Sequence, residues 1–122
     1  MIIDNKEYVF KLNDKTYHCA LDVTMSYIGG KWKTVVLWYL RNQTRRFGEL
    51  KKQIPDITEK MLSLQLKALE EDGLVKREVY PEVPLRVEYS LTDFGKTLVP
   101  VIEAIAGWGR NLGQTEGEMV EV

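Results

Sequence analysis

A helical pattern that runs without a linker into a hairpin dominates this sequence: ITEKMLSLQLKALEEDGLVKREVYPEVPLRVEYSL, over 57–91. Leu62, Leu66 and Leu69 recur at helical spacing and share one side of a helix expected from Ile57 to Asp72. Asp56 or Thr58 can cap its start, with Glu59 at capping-box distance from Asp56, and Gly73 is a natural left-handed stop. Period two then takes over. Val75, Arg77 and Val79 share one face of the first arm, and Val87, Tyr89 and Leu91 share one face of the second. Two prolines, Pro81 and Pro84, make the tip a projecting, semi-rigid loop rather than a tight turn.

Upstream, Phe47, Leu50 and Ile54 describe a two-turn helix with Lys51 and Lys52 facing water, ended by Pro55. Helix, tight turn, helix and hairpin therefore follow in the order of a winged helix-turn-helix domain. Before these, Ala20 to Ile28 suits a short helix stopped by Gly29-Gly30, and a second helix is expected from Lys31 to about Arg41. Its sequence, KWKTVVLWYLR, is apolar on nearly every side, so it must be buried twice. A central position in its own core and a partner subunit both explain that pattern. At the N-terminus, Tyr8, Phe10 and Leu12 alternate with polar residues, and Asn13-Asp14 suits a hairpin turn.

The last helix is expected from a Thr92 cap onward. Phe94, Leu98, Val101, Ile105, Trp108 and Leu112 recur with spacings alternating between four and three, which is a heptad seam. Pro100 should kink this helix, and Gly107 and Gly109 should weaken its final turns.

Composition narrows the function. At 122 residues, with 44% hydrophobic and 29% charged residues, the chain has room for one domain with a modest core. A dimer that completes that core would be unsurprising. No apolar stretch approaches the roughly 20 residues that span a bilayer, and the start lacks the layout of a signal peptide, so a cytoplasmic protein with no membrane partner is expected. One cysteine and one histidine cannot close a structural zinc site or an internal disulfide framework, and no cofactor is expected. Cys19 beside His18 makes a poor catalytic pair, no Gly-rich phosphate loop occurs, and an enzyme is not expected.

The net charge of −1 hides an uneven distribution. Lys31 to Arg77 carries 11 Lys and Arg against 6 Asp and Glu, whereas Thr92 to Val122 carries 2 against 5. The basic middle coincides with the helix-turn-helix pattern, which suits a phosphate backbone. On the helix opposite the leucine stripe lie Lys60, Ser63, Leu64 and Lys67. An isolated amphipathic helix gives the same wheel, so its neighbours decide the matter.

The segments IGGKWKTVVLWYL and RRFGELKKQIPDITEKMLSLQLKALEEDGLVKREVYPEVPLRVEYSLTDFGKTL resemble the HxlR-type branch of the MarR-like winged-helix regulators. The likeness covers about Cys19 to Leu112 and rests on Gly29-Gly30-Lys31-Trp32, Arg46-Phe47, Pro55 with Thr58 to Leu62, Gly73-Leu74-Val75, and the wing from Pro81 to Leu91. It implies an α+β, mostly α fold: a winged helix-turn-helix domain with a two-stranded wing and terminal dimerisation helices. The chain then divides into an N-terminal arm or hairpin over 1–18, the winged domain with its dimerisation helix over 19–113, and a flexible acidic tail over 114–122.

The resemblance further implies a homodimeric transcription regulator, a repressor by default, that binds an inverted repeat in double-stranded DNA. Thr58, Lys60, Ser63, Leu64 and Lys67 would face the duplex, Leu64 against a thymine methyl or, failing that, another protein. Arg45 and Arg46 are candidate phosphate contacts, and Arg86 beside the wing tip could reach a minor groove or phosphate, although Glu82 and Glu88 make the wing less basic. Trp32, Leu98, Val101, Ile105, Trp108 and Leu112 are the candidate dimer interface. A module that binds protein or RNA is the rival reading.

Cys19 sits at the foot of the first helix, where backbone amides and the positive dipole end raise reactivity. Several HxlR-like regulators resemble this chain in carrying a cysteine there and sense oxidants or electrophiles through it, sometimes by linking subunits. A small buried core residue is the alternative.

Overall fold

The computed structural model describes residues 2–122; Met1, the first residue of the expected arm, lies outside them. The arm is two hairpins in tandem rather than one. β1 (Ile2–Ile3) pairs with β2 (Lys6–Glu7), and β3 (Phe10–Leu12) pairs with β4 (Lys15–Tyr17). Each turns on two residues with positive φ, Asp4-Asn5 at 52° and 63° and Asn13-Asp14 at 49° and 64°. That is the primed turn whose twist matches a two-residue hairpin, and Asn and Asp tolerate it best after glycine.

α1 (Ala20–Ile28) follows directly, with Cys19 as its N-cap and Gly29 as its C-cap. α2 (Lys33–Leu40) begins two residues later than expected, leaving Lys31 and Trp32 in the preceding turn. Val36, Leu37 and Leu40 of α2 are buried, and Val35, Trp38 and Tyr39 are half-buried against the same core. Thus α2 is the central helix of its own domain, which accounts for its lack of a polar side.

α3 (Phe47–Gln53) and α4 (Glu59–Glu71) complete the helix-turn-helix. The turn is held by Ile57, which is buried and donates its N–H to Ile54 O at 3.2 Å. Leu50, Ile54, Leu62, Leu66 and Leu69 close the core between α3, α4 and α2. Each fully buried leucine contributes about 1.5–3 kcal/mol relative to exposure, so this seam sets the angle at which α4 is presented.

Gly73, at φ 77°, ends α4 in the left-handed conformation open to glycine and sends the chain into the wing. β5 (Val75–Tyr80) and β6 (Arg86–Leu91) are antiparallel, in register from Val75↔Leu91 through Arg77↔Tyr89 to Tyr80↔Arg86. The buried Val75 and Leu91 tie the base of the wing to the core.

The expected single C-terminal helix is split. α5 (Asp93–Lys96), capped by Thr92, ends before Thr97, and α6 (Val99–Glu116) begins with Pro100 in its first turn. Pro100 cannot donate to the carbonyl of Lys96 and its ring would collide with it, so the chain breaks there instead of kinking. In the first turn of a new helix the missing N–H costs nothing. Gly107 and Gly109 do not interrupt α6, which runs to Glu116, three residues into the segment expected as tail. Ile102 is the buried residue of α6, and α6 packs across α2. Among the described residues no helix is long and apolar enough to cross a membrane, and no cluster of metal-ligating side chains occurs.

Candidate nucleic-acid interface

The leucine stripe of α4 dictates what its other side presents. With Leu62, Leu66 and Leu69 fully buried, Lys60, Ser63, Leu64 and Lys67 emerge on the exposed side. Among the described residues, Lys60, Ser63 and Lys67 make no side-chain hydrogen bond or ion pair, so their donors are free. Leu64 is 51% exposed, an apolar group on a polar face. Of the two possible caps, Thr58 is the one used: its Oγ1 accepts from Met61 N–H at 3.0 Å. The Thr58 hydroxyl proton remains available to an acceptor outside the protein.

The two arginines before α3 have different roles. Arg46 is exposed, and its backbone N–H donates to Glu49 Oε1 at 2.8 Å. Because an arginine side chain has no acceptor, only the glutamate half of a capping box forms here. Arg45 is half-buried: its Nε donates to Tyr39 O at 3.1 Å, and its backbone pairs with Tyr89 of β6. It therefore joins the helix-turn-helix to the wing instead of projecting from either.

Arg86 differs most from expectation. Its guanidinium lies 4.0 Å over the Tyr80 ring and pairs with Glu82 at 3.0 Å and Glu88 at 3.4 Å. Two carboxylates already neutralise it, so it braces the wing and is not free to meet a phosphate. Lys76 is likewise paired with Glu78 at 3.1 Å. Glu78 and Glu88 stand directly opposite each other, a like-charge pair that these cations offset. A hydrogen bond donated by Tyr80 Oη to Glu78 Oε2 at 2.7 Å, together with Lys76, holds the Glu78 carboxyl below its usual range; the same bond pushes the Tyr80 phenol above its own. At the tip, Val83 is fully exposed and Leu85 largely so, which gives the wing an apolar end.

The candidate interface residues separate into two groups. Leu98 and Trp32 are half-buried against their own core, with the Lys31 ammonium 4.7 Å from the Trp32 ring. Val101, Ile105, Trp108 and Leu112 form an exposed ridge along α6, with Ile105 49% and Trp108 70% exposed. The residue that anchors α6 to the core is Ile102, one helical turn after Leu98, which the heptad reading passes over. Leu21 and Met25 on α1 are also exposed, and their spacing of four was the signal for a second apolar face. Cys19 is half-exposed at the head of α1, with no hydrogen bond from its side chain to the helix.

A helix-turn-helix whose second helix offers free polar groups, followed by a two-stranded wing, defines a winged-helix transcription regulator. Residues 27–117 match the model of the HxlR-like helix-turn-helix proteins, and the chain belongs to that family. A relative from Methanothermobacter thermautotrophicus, described as an uncharacterised HTH-type transcriptional regulator, is 47% identical over 102 residues, covering 84% of this chain and 78% of its own. Among solved structures, the redox regulator HypR in its oxidised form superposes with a TM-score of 0.74 at 46% identity, covering 76% of this chain and 96% of that one. The reduced form of the Bacillus subtilis transcriptional regulator YodB gives 0.68 at 33% identity, over 82% and 98%. These relatives are regulators rather than enzymes, and on that ground the chain is a transcriptional regulator of HTH type.

Proposed function

We propose that the chain is a cytoplasmic, sequence-specific DNA-binding repressor that acts as a homodimer on an inverted repeat, with α4 as its reading helix. The observation that carries this reading is the unpartnered face of Lys60, Ser63, Leu64 and Lys67, held outward by a fully buried stripe. Lysines on that face neutralise phosphates, Thr58 and Ser63 bond bases or phosphates, and Leu64 meets a thymine methyl. Arg46 adds a phosphate contact at the start of α3. Arg45 and Arg86 act indirectly, by fixing the wing. Each phosphate neutralised contributes about 0.9 to the slope of log affinity against log salt, so Lys60→Ala and Lys67→Ala should each flatten the slope by about that amount per lost contact. Unchanged slopes in both variants would place DNA on another face; preference for single-stranded RNA over duplex DNA would favour the rival reading.

The dimer reading rests on the α6 ridge. Trp108 and Ile105 are large apolar groups in water on a helix already anchored by Ile102, and a second copy offers the same ridge in a self-complementary contact. Cys19 is the proposed redox-responsive residue, supported by its half-exposed position and by the likeness to HypR. With one cysteine per chain, a disulfide joins two subunits or joins Cys19 to a small thiol, and the first is the form a covalent dimer reports. Two thiols lose two protons and two electrons to an oxidant such as diamide, which is reduced to its hydrazine.

A further inference from the structure

The wing has three cations, and only one of them is free. Lys76 and Arg86 are spent on Glu78, Glu82 and Glu88, whereas Arg77 is exposed and, among the described residues, has no side-chain partner. Arg77 also shares a notch of about 270 Å³ with α4, lined by Ser63, Leu66, Lys67, Glu70, Arg77 and Tyr89. We propose that this notch seats one backbone phosphate of the duplex, with Arg77 and Lys67 as its cations and Ser63 as a hydroxyl donor. The wing then grips DNA at its base rather than at its tip. This rests on the reading of the chain as a DNA-binding regulator and adds a site to it.

Register explains why Arg77 is held there. The N–H and C=O of Tyr89 are both committed to Arg45, on the far side of β6 from β5. Arg77 and Tyr89 are therefore a non-hydrogen-bonded cross-strand pair, the kind whose side chains stand closest together. Their face is also that of the buried Val75 and Leu91, so it turns toward α4. The planar guanidinium fork matches two phosphate oxygens, and a lysine one helix away supplies a point charge. Glu70 is the opposing group: the rim carries two cations against one carboxylate, a balance that still favours an anion.

The test uses the full-length protein and a random-sequence duplex, with Arg77→Ala, Arg77→Lys and the double variant Arg77→Ala/Lys67→Ala. Loss of one phosphate contact per protomer lowers the salt slope by about 0.9. From 50 to 200 mM salt, that makes the wild type's affinity fall about three- to fourfold more per protomer than that of the double variant. Arg77→Lys should keep most of the slope, while Arg77→Ala should melt with the wild type because the side chain has no partner to lose. On a duplex that carries an operator selected by the protein, and so binds in one register, replacing single phosphates by neutral methylphosphonates should reveal one position per half-site that weakens the wild type and leaves the double variant unaffected.

An Arg77→Ala slope equal to the wild type's, or no such methylphosphonate position, overturns the phosphate seat while leaving the chain a DNA-binding regulator. A wild type that binds no duplex at any salt overturns both. If inorganic phosphate alone raises the melting temperature through Arg77 with DNA slopes unchanged, the notch holds a free anion and the assignment to DNA fails.

Discussion

Arg45 and Tyr89 exchange both of their backbone hydrogen bonds, Arg45 N–H to Tyr89 O at 2.9 Å and Tyr89 N–H to Arg45 O at 2.8 Å. The chain entering the helix-turn-helix thus forms a one-residue third strand on the wing. Elements separated by more than forty residues in sequence are thereby tied by two backbone hydrogen bonds, and the wing is attached to the domain by more than its own hairpin.

Arg45→Pro tests that coupling, because proline keeps the chain but removes the donated N–H. Leaving one such bond unmade in a partly buried site costs about 1–3 kcal/mol. Losing the Arg45 N–H bond to Tyr89 O should loosen the reciprocal bond from Tyr89 N–H to the carbonyl of residue 45, so the Tyr89 amide should exchange faster while Leu66 and Leu69 keep their protection, and DNA affinity should fall with the loss. Unchanged exchange at Tyr89 would show that the bridge does not hold the wing.

Trp108 tests the dimer. A buried tryptophan at the centre of an interface is commonly worth about 2 kcal/mol or more, and a twofold contact contains it twice. Trp108→Ala should therefore weaken self-association about a thousandfold, at roughly 1.4 kcal/mol per decade. Sedimentation equilibrium reads this directly. A variant that remains a dimer at the wild-type constant would move the interface elsewhere, with the exposed Leu21 and Met25 face of α1 the next to examine.

Cys19 tests the redox reading. Diamide should produce a covalent dimer on a non-reducing gel and change DNA affinity in the wild type, and Cys19→Ser should do neither. If oxidation leaves wild-type binding unaltered, Cys19 is a structural N-terminal residue of α1 and no switch.

Much of this architecture could be read from local pattern. Leu62, Leu66 and Leu69 are all buried, Gly73 has the positive φ its place after the helix predicted, and Leu64 stands exposed on the polar face. These features depend on one element and its immediate flanks. What escaped depends on pairing between elements. Arg86 looked like a free cation because its partners, Tyr80, Glu82 and Glu88, come together only once the hairpin register is known. Period two places Arg77 on the face of Val75 and Val79 but gives it no role, for the same reason: the notch it lines includes Lys67 of another element. Pro100 shows a different limit. Its effect on the helix was legible, but whether a chain kinks or breaks depends on what each half packs against, and Ile102 gives α6 its own anchor on the core. Asp4-Asn5 could have been found, since it has the same chemistry as Asn13-Asp14.

Footprinting on genomic fragments selected by the purified protein tests the central claim most directly. A twofold regulator reading through α4 should protect an inverted repeat whose half-site centres lie about one helical turn, roughly 34–36 Å, apart. The protection should weaken at both half-sites together in Lys60→Ala or Lys67→Ala. A single unpaired half-site, or protection indifferent to both lysines, would contradict the account of α4 as the reading helix of a dimer.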